Sequence, residues 1–245
     1  MTKHQKWFQS WFDTPYYHML YKKRDRTEAK IFIKNLVDHL GINDQQTILD
    51  LACGKGRHSI FLNSLGFYVK GVDLSKQSIS EALKSANNRL DFEVHDMRTP
   101  LNDKYDVILN LFTSFGYFDS MEDNFSVLNT IKNGLTKEGI GVIDFMNSPY
   151  VIQHLVAHDF VEIEGIQFDI NRKYTNGVIT KSIDVTDGDL TTHYEERVRA
   201  FQLDDFLRMF SMLNLKFVEC LGSYGLEPYD VENSKRLILI FKNNA

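Results

Sequence analysis

With 245 residues, 43% of them hydrophobic and 25% charged, the chain is long enough to bury a substantial core without disulfide or metal staples. Its two cysteines, Cys53 and Cys220, make neither a disulfide framework nor a metal set and point to a reducing compartment. The 28 basic against 33 acidic side chains leave a net charge of −5, which disfavours nucleic acid or an anionic membrane as partner; with no bilayer-length apolar run and no signal peptide, a soluble cytoplasmic protein is expected.

The first 21 residues hold Trp7, Phe8, Trp11, Phe12, Tyr16, Tyr17 and Tyr21, too many aromatics to stay exposed, so this segment is expected to pack over something. Apolar positions at helical spacing predict a helix over 27–40, ended by Gly41. A strand–helix alternation follows: strands at 47–52, 67–72, 91–94, 105–111 and 139–146, helices at 58–65, 75–87 and 121–135, with Ser75 as an N-cap. Helical crossovers of this length imply a parallel sheet. After Pro149 the pattern changes to β-rich stretches at 166–174, 178–185 and 190–201, separated by turn signals at Asn176–Gly177 and Asp187–Gly188. A helix at 204–213 and strands at 216–221 and 236–241 close the chain. Residues 1–149 and 203–245 are thus expected to form one α/β domain, with 150–202 inserted as a small antiparallel lobe after the fifth strand.

Chemistry concentrates in Ile48-Leu49-Asp50-Leu51-Ala52-Cys53-Gly54-Lys55-Gly56-Arg57-His58, where a strand gives way to a glycine turn and then a helix. Such a turn offers backbone N–H groups to a closely approaching ligand. Asp73 follows at the tip of the second strand, seventeen positions beyond Gly56. An acid there can accept from both hydroxyls of a ribose; the plain alternative is a carboxylate stabilising a helix N-terminus. Ser59 stands where a dinucleotide fingerprint has its third glycine. Asp50, just ahead of the turn, suits a cationic amino group better than a pyrophosphate, which it would repel.

These two motifs resemble the first two of the class I S-adenosylmethionine-dependent methyltransferases, a likeness spanning roughly residues 27–147. It implies a Rossmann-like, mostly parallel sheet flanked by helices. It further implies that Ala52, Cys53, Gly54 and Gly56 pack against the methionine portion of S-adenosyl-L-methionine, and that Asp73 binds its ribose. Asp96 would face the adenine amino group, with the Met97 N–H beside the ring. Asp50, Leu74 and Asn110 complete the implied cofactor set. Cys53 reads as the small residue of the loop rather than as a reactive thiol.

The loop after the fourth strand should border the methyl group, because open α/β sheets bind ligands at strand C-termini. It lacks the Asn/Asp-Pro-Pro-aromatic motif and is similar to the loop of small-molecule methyltransferases, including those that methylate amino groups of nucleotide sugars. Phe112, Phe115 and Tyr117, with Phe118, are its candidate pocket walls, though all could equally be core. The aromatic N-terminal segment resembles the lid of that group, placing Tyr17, Tyr21 and Arg24 at the donor. His18, His95 and His193 are conceivable bases, but no catalytic residue is assigned. No metal-ligand spacing appears. The expected function is methyl transfer to a small molecule. A nicotinamide-dependent oxidoreductase and a binding module without turnover stand as alternatives; the acceptor and the oligomeric state stay open.

Overall fold

The computed structural model describes residues 7–22 and 26–244. Two short helices, α1 (Trp7–Phe12) and α2 (Pro15–Leu20), precede the long α3 (Arg26–Leu40). Thr14 caps α2 by accepting from the Tyr17 N–H at 3.1 Å, with Pro15 set in the first turn.

The central sheet alternates with helices in the expected way. Strands β1 (Thr47–Leu51), β2 (Tyr68–Asp73), β3 (Leu90–Val94), β4 (Tyr105–Asn110) and β5 (Leu135–Met146) pair in parallel, in the order β3-β2-β1-β4-β5. Helices α4 (Arg57–Ser64), α5 (Lys76–Ala82) and α6 (Met121–Gly134) make the crossovers. The helix anticipated over 75–87 stops early and ends in a 3-10 turn at Leu83–Ser85, while Ser75 caps it as expected, accepting from the Ser78 N–H at 2.9 Å. The chain closes with α8 (Leu203–Met212), following α7 (Ser148–Gln153), and with β10 (Leu215–Leu221) and β11 (Arg236–Asn243), added antiparallel beyond β5.

Both faces of the sheet are covered, so β1 is buried from Ile48 to Leu51 and, apart from Asp50, apolar there rather than alternating. Leu49, Leu51 and Ile108 face the core closed by α6 and α8, whereas Ile48, Val107 and Leu109 face the one closed by α3, α4 and α5. Truncating Leu49 to Ala would cost about 2–5 kcal/mol. Because β1 lies between β2 and β4, the strand order reverses there, opening a crevice at the strand C-termini.

The antiparallel lobe has four strands where three were anticipated: β6 (His158–Ile163), β7 (Ile166–Thr175), β8 (Val178–Asp187) and β9 (Leu190–Arg199). The β7–β8 turn is Asn176–Gly177, both at positive φ as a two-residue hairpin of this twist requires. The β6–β7 turn uses Glu164–Gly165 in the same conformation, and a glutamate there gives no turn signal. The lobe's apolar face, carrying Phe168, Ile170, Ile183 and Val185, packs on Trp11 and its aromatic neighbours. The N-terminal aromatics are thus sandwiched between the lobe and the crevice.

Candidate active site

Three non-glycine residues hold left-handed backbone around the crevice: Ala52 (φ 67°), Phe112 (φ 68°) and Thr113 (φ 59°). Such conformations cost energy and persist where the surroundings enforce them. At Ala52 the enforcement comes from β2, whose Val72 carbonyl accepts from the Ala52 and Cys53 N–H groups at 2.8 and 2.9 Å. At Phe112 and Thr113 it comes from Asp144, whose Oδ2 accepts from the Phe112 N–H at 3.0 Å and whose carbonyl accepts from the Thr113 N–H at 3.1 Å. Arg236 Nε donates to Asp144 Oδ1 at 2.7 Å and Tyr224 to Oδ2 at 3.0 Å, so this carboxylate, 1% exposed, is fully engaged.

A cavity of about 670 Å³ lies between these turns and the N-terminal segment. One end is lined by Ala52, Cys53, Gly54, Asp73 and Leu74 from the β1 and β2 ends, and by His95, Asp96 and Met97 after β3. Phe118 adjoins Asp96 and Met97, while the other side is lined by Phe112 and Tyr117 and by Phe12, Tyr17 and Tyr21. Asp73 joins the two turns: its Oδ2 accepts from the Gly54 N–H and its Oδ1 from the Ser75 N–H, each at 2.8 Å. Burial pushes its carboxyl above the ordinary range, and the nearby Asp13 adds to the shift.

The N-terminal segment is fastened from both sides. Glu196 on β9 accepts from Trp11 Nε1 at 2.6 Å and from the Tyr21 hydroxyl at 2.6 Å, and Lys181 donates to that hydroxyl. On the crevice side Asp13 accepts from the Ser75 hydroxyl. At the cavity mouth Lys22 meets Glu164 of the β6–β7 turn at 3.1 Å.

Four of the expected site residues do not line the cavity. Phe115 is not a pocket wall: it is fully buried among Phe145, Phe201 and Phe206, because the left-handed pair at 112–113 turns Phe112 outward and sends Phe115 into the core. Asp50 does not line the cavity: it accepts from Ser59 Oγ at 2.6 Å, with burial raising its pKa from 3.8 to about 6. Gly56 is needed for its φ of +76° and for space, since a Cβ there would sit 2.6 Å from the Phe92 ring. Asn110 is fully buried and donates to the Leu51 carbonyl at 2.9 Å. Arg24 lies outside the described residues.

Cys53 is held as a thiol, pushed far up by burial and by Asp50 and Asp73. Of the three conceivable bases, His193 sits away from the cavity, paired with Asp184 at 2.7 Å on the lobe. His18 and His95 line it; burial and Lys55 lower the pKa of His18, keeping it neutral. Sequence reasoning did not single out His58, which lines the cavity and is pushed down to about 3 by burial and Arg57. Arg57 Nη2 lies 3.2 Å from its Nε2 and is a donor only, so the imidazole proton resides on Nδ1. Among the described residues no cluster suited to a metal ion occurs, and no helix is long and apolar enough to cross a membrane.

A parallel sheet with a glycine turn after β1, an acid at the tip of β2 and a second acid after β3 defines a nucleoside-binding α/β fold of the methyltransferase kind. A family model described as a methyltransferase domain matches residues 42–196, more than half of the chain, and the chain belongs to this family, the class I S-adenosylmethionine-dependent methyltransferases. It is 27% identical over 135 residues to a glycine/sarcosine N-methyltransferase of Aphanothece halophytica, covering 53% of this chain and 49% of the relative. It is 29% identical over 175 residues to the glycine N-methyltransferase of Rattus norvegicus, covering 64% and 58%. The chain thus spans about half the length of these curated relatives. In fold it is similar to a methyltransferase from Clostridium acetobutylicum (TM-score 0.78, 19% identity, covering 94% of this chain and 96% of that one). A sugar N-methyltransferase from a Streptoalloteichus species shares the fold as well (TM-score 0.68, 20% identity, 94% and 93% covered).

Proposed function

We propose that the chain transfers the methyl group of S-adenosyl-L-methionine to a small amine inside this cavity, and that it works in the cytoplasm. The observation that carries the reading is the Asp73 carboxylate, fixed between two turns at one end of a cavity whose opposite side is aromatic. Asp73 would hold the ribose hydroxyls, Asp96 and the Met97 N–H the adenine edge, and the Ala52–Gly54 turn the amino-acid tail. Leu74 would pack beside the nucleoside. The donor supplies a sulfonium-activated methyl whose positive charge is lost as the new bond forms. The protein's task is then alignment and exclusion of water. Phe112, Tyr117, Tyr17 and Tyr21 wall the acceptor side, and His18 and His95 are imidazoles in the cavity lining. A small amine is favoured because the relatives act on glycine, sarcosine and sugars as N-methyltransferases. The unpaired Cys53 and Cys220 favour a reducing compartment.

Calorimetry with S-adenosylmethionine and S-adenosylhomocysteine, followed by methyl transfer against a panel of small amines, tests this. Binding near −8 kcal/mol, the micromolar range, is expected. No heat with either compound would overturn the reading, and binding without transfer to any amine would leave a nucleoside-binding module instead.

A further inference from the structure

Arg98 stands directly behind the end of the cavity formed by Asp96, Met97 and Phe118, without lining it. Its side chain is 19% exposed and sets its fork on one carboxylate. Nε donates to Asp96 Oδ1 at 3.0 Å and Nη2 to Oδ2 at 2.6 Å, while the Arg98 backbone N–H adds a second bond to Oδ1 at 3.0 Å. The remaining arm, Nη1, reaches Asp123 Oδ1 in the first turn of α6 at 3.1 Å. The guanidinium also lies 4.7 Å from the centre of the Phe118 ring. One side chain therefore fixes both a polar edge and an aromatic wall at the same end of the cavity. A two-point fork of this kind sets the plane of a carboxylate, which a lone surface ion pair does not.

We propose that Arg98 is a positioning residue that sets base selectivity: it clamps Asp96 so that the carboxylate meets an exocyclic amino group, and it steadies Phe118 as the adjoining wall. The inference rests on the donor reading above, with the adenine at this end. An ionised carboxylate only accepts hydrogen bonds. It therefore matches the amino group of adenine and opposes the carbonyl oxygen that hypoxanthine carries at the same position. Arg98 holds that carboxylate in register, so the discrimination against hypoxanthine depends on a group that never touches the base.

The test is calorimetry of the full chain with S-adenosylhomocysteine and with S-inosylhomocysteine, its hypoxanthine counterpart, for the parent, Arg98→Met, Arg98→Lys, Asp96→Ala and the Arg98→Met/Asp96→Ala double variant. The parent is expected to prefer the adenine compound by about 30-fold, the size of one hydrogen bond to a charged group. Arg98→Met should shrink that preference to about threefold or less while leaving the affinity for the inosine compound nearly unchanged. Arg98→Lys, which keeps the charge but not the fork, should fall between. The double variant should lose no more preference than Asp96→Ala alone, because both act through one carboxylate. An undiminished preference in Arg98→Met, or in Arg98→Lys should the first variant not fold, overturns the inference. Equal weakening of both compounds also overturns it, as that marks mere structural support. If the parent binds both compounds equally, the donor reading stands and the role of Arg98 falls; if it binds neither, the donor reading fails and takes this inference with it.

Discussion

Asp73 and Gly54 are joined by a 2.8 Å hydrogen bond from the glycine N–H to the carboxylate, tying the tip of β2 to the turn after β1. The same carboxylate accepts from Ser75 at the start of α5, so one side chain sets the spacing of the two turns that flank the nucleoside end of the cavity. Asp73→Ala is expected to weaken S-adenosylhomocysteine binding by about 2 kcal/mol or more, because ribose hydroxyls would lose a charged acceptor. Calorimetry on the folded variant measures this, and an unchanged affinity would place the ribose elsewhere.

Asp13 makes a different kind of tie. It accepts from the hydroxyl of Ser75, which also caps α5, so the α1–α2 corner is held against the donor end of the cavity. Asp13→Ala should leave the thermal midpoint nearly unchanged, since Trp11 and Tyr21 remain anchored on Glu196. Release of bound S-adenosylhomocysteine should become about fivefold faster, corresponding to one hydrogen bond near 1 kcal/mol. Stopped-flow tryptophan fluorescence reads the rate, and an unaltered rate would show that this corner does not retain the ligand.

What the sequence made legible was local. The β1–turn–α4 unit, the acid ending β2 and the Ser75 cap all rest on signals within a few residues, and the structure reproduces each. The fate of Phe112 and Phe115 was not legible, because two neighbouring aromatics differ only through the left-handed turn that Asp144 enforces from 32 residues away. Asp50 escaped for a related reason: spacing places it before the glycine turn, but only the packing of α4 brings Ser59 onto its carboxylate. Strand β6 was hidden by Glu164–Gly165, a hairpin turn whose first residue carries no turn preference.

Asp50 yields a prediction whose sign follows from its surroundings. Burial raises its pKa from 3.8 to about 6 despite the Ser59 hydrogen bond, with Asp73 pushing the same way and Arg57 opposing. The folded state thus favours the protonated acid. The carboxylate penalises folding fully above about pH 6, and the penalty fades as pH falls toward 4, so this group makes the fold more stable on mild acidification. Asp50→Asn, which keeps an acceptor for Ser59, is expected to be more stable than the parent by about 1–3 kcal/mol at pH 7. The advantage should vanish near pH 4. Denaturant melts at the two pH values decide it; a variant less stable at pH 7 would mean that the hydrogen bond outweighs the desolvation.

The Asp144 cluster should separate two kinds of loss. Arg236, its side chain 20% exposed, is paired with the buried Asp144, so Asp144→Ala would leave a largely desolvated positive charge without its carboxylate and cost about 3 kcal/mol. Tyr224→Phe removes one of the bonds to Asp144 and keeps the ring stacked on Phe32 at 4.5 Å, so it should cost only about 1 kcal/mol. The two variants also differ at the acceptor wall. With Asp144 gone, the Phe112 amide loses the carboxylate while the Thr113 amide keeps the carbonyl of residue 144, so hydrogen exchange at Phe112 should accelerate well beyond the global change in stability and at Thr113 much less. In Tyr224→Phe those amides keep their partners, and exchange there should track the global change alone. Exchange at Phe112 that rose equally in both variants, once corrected for stability, would show that the turn is held by the packing around it and not by the carboxylate.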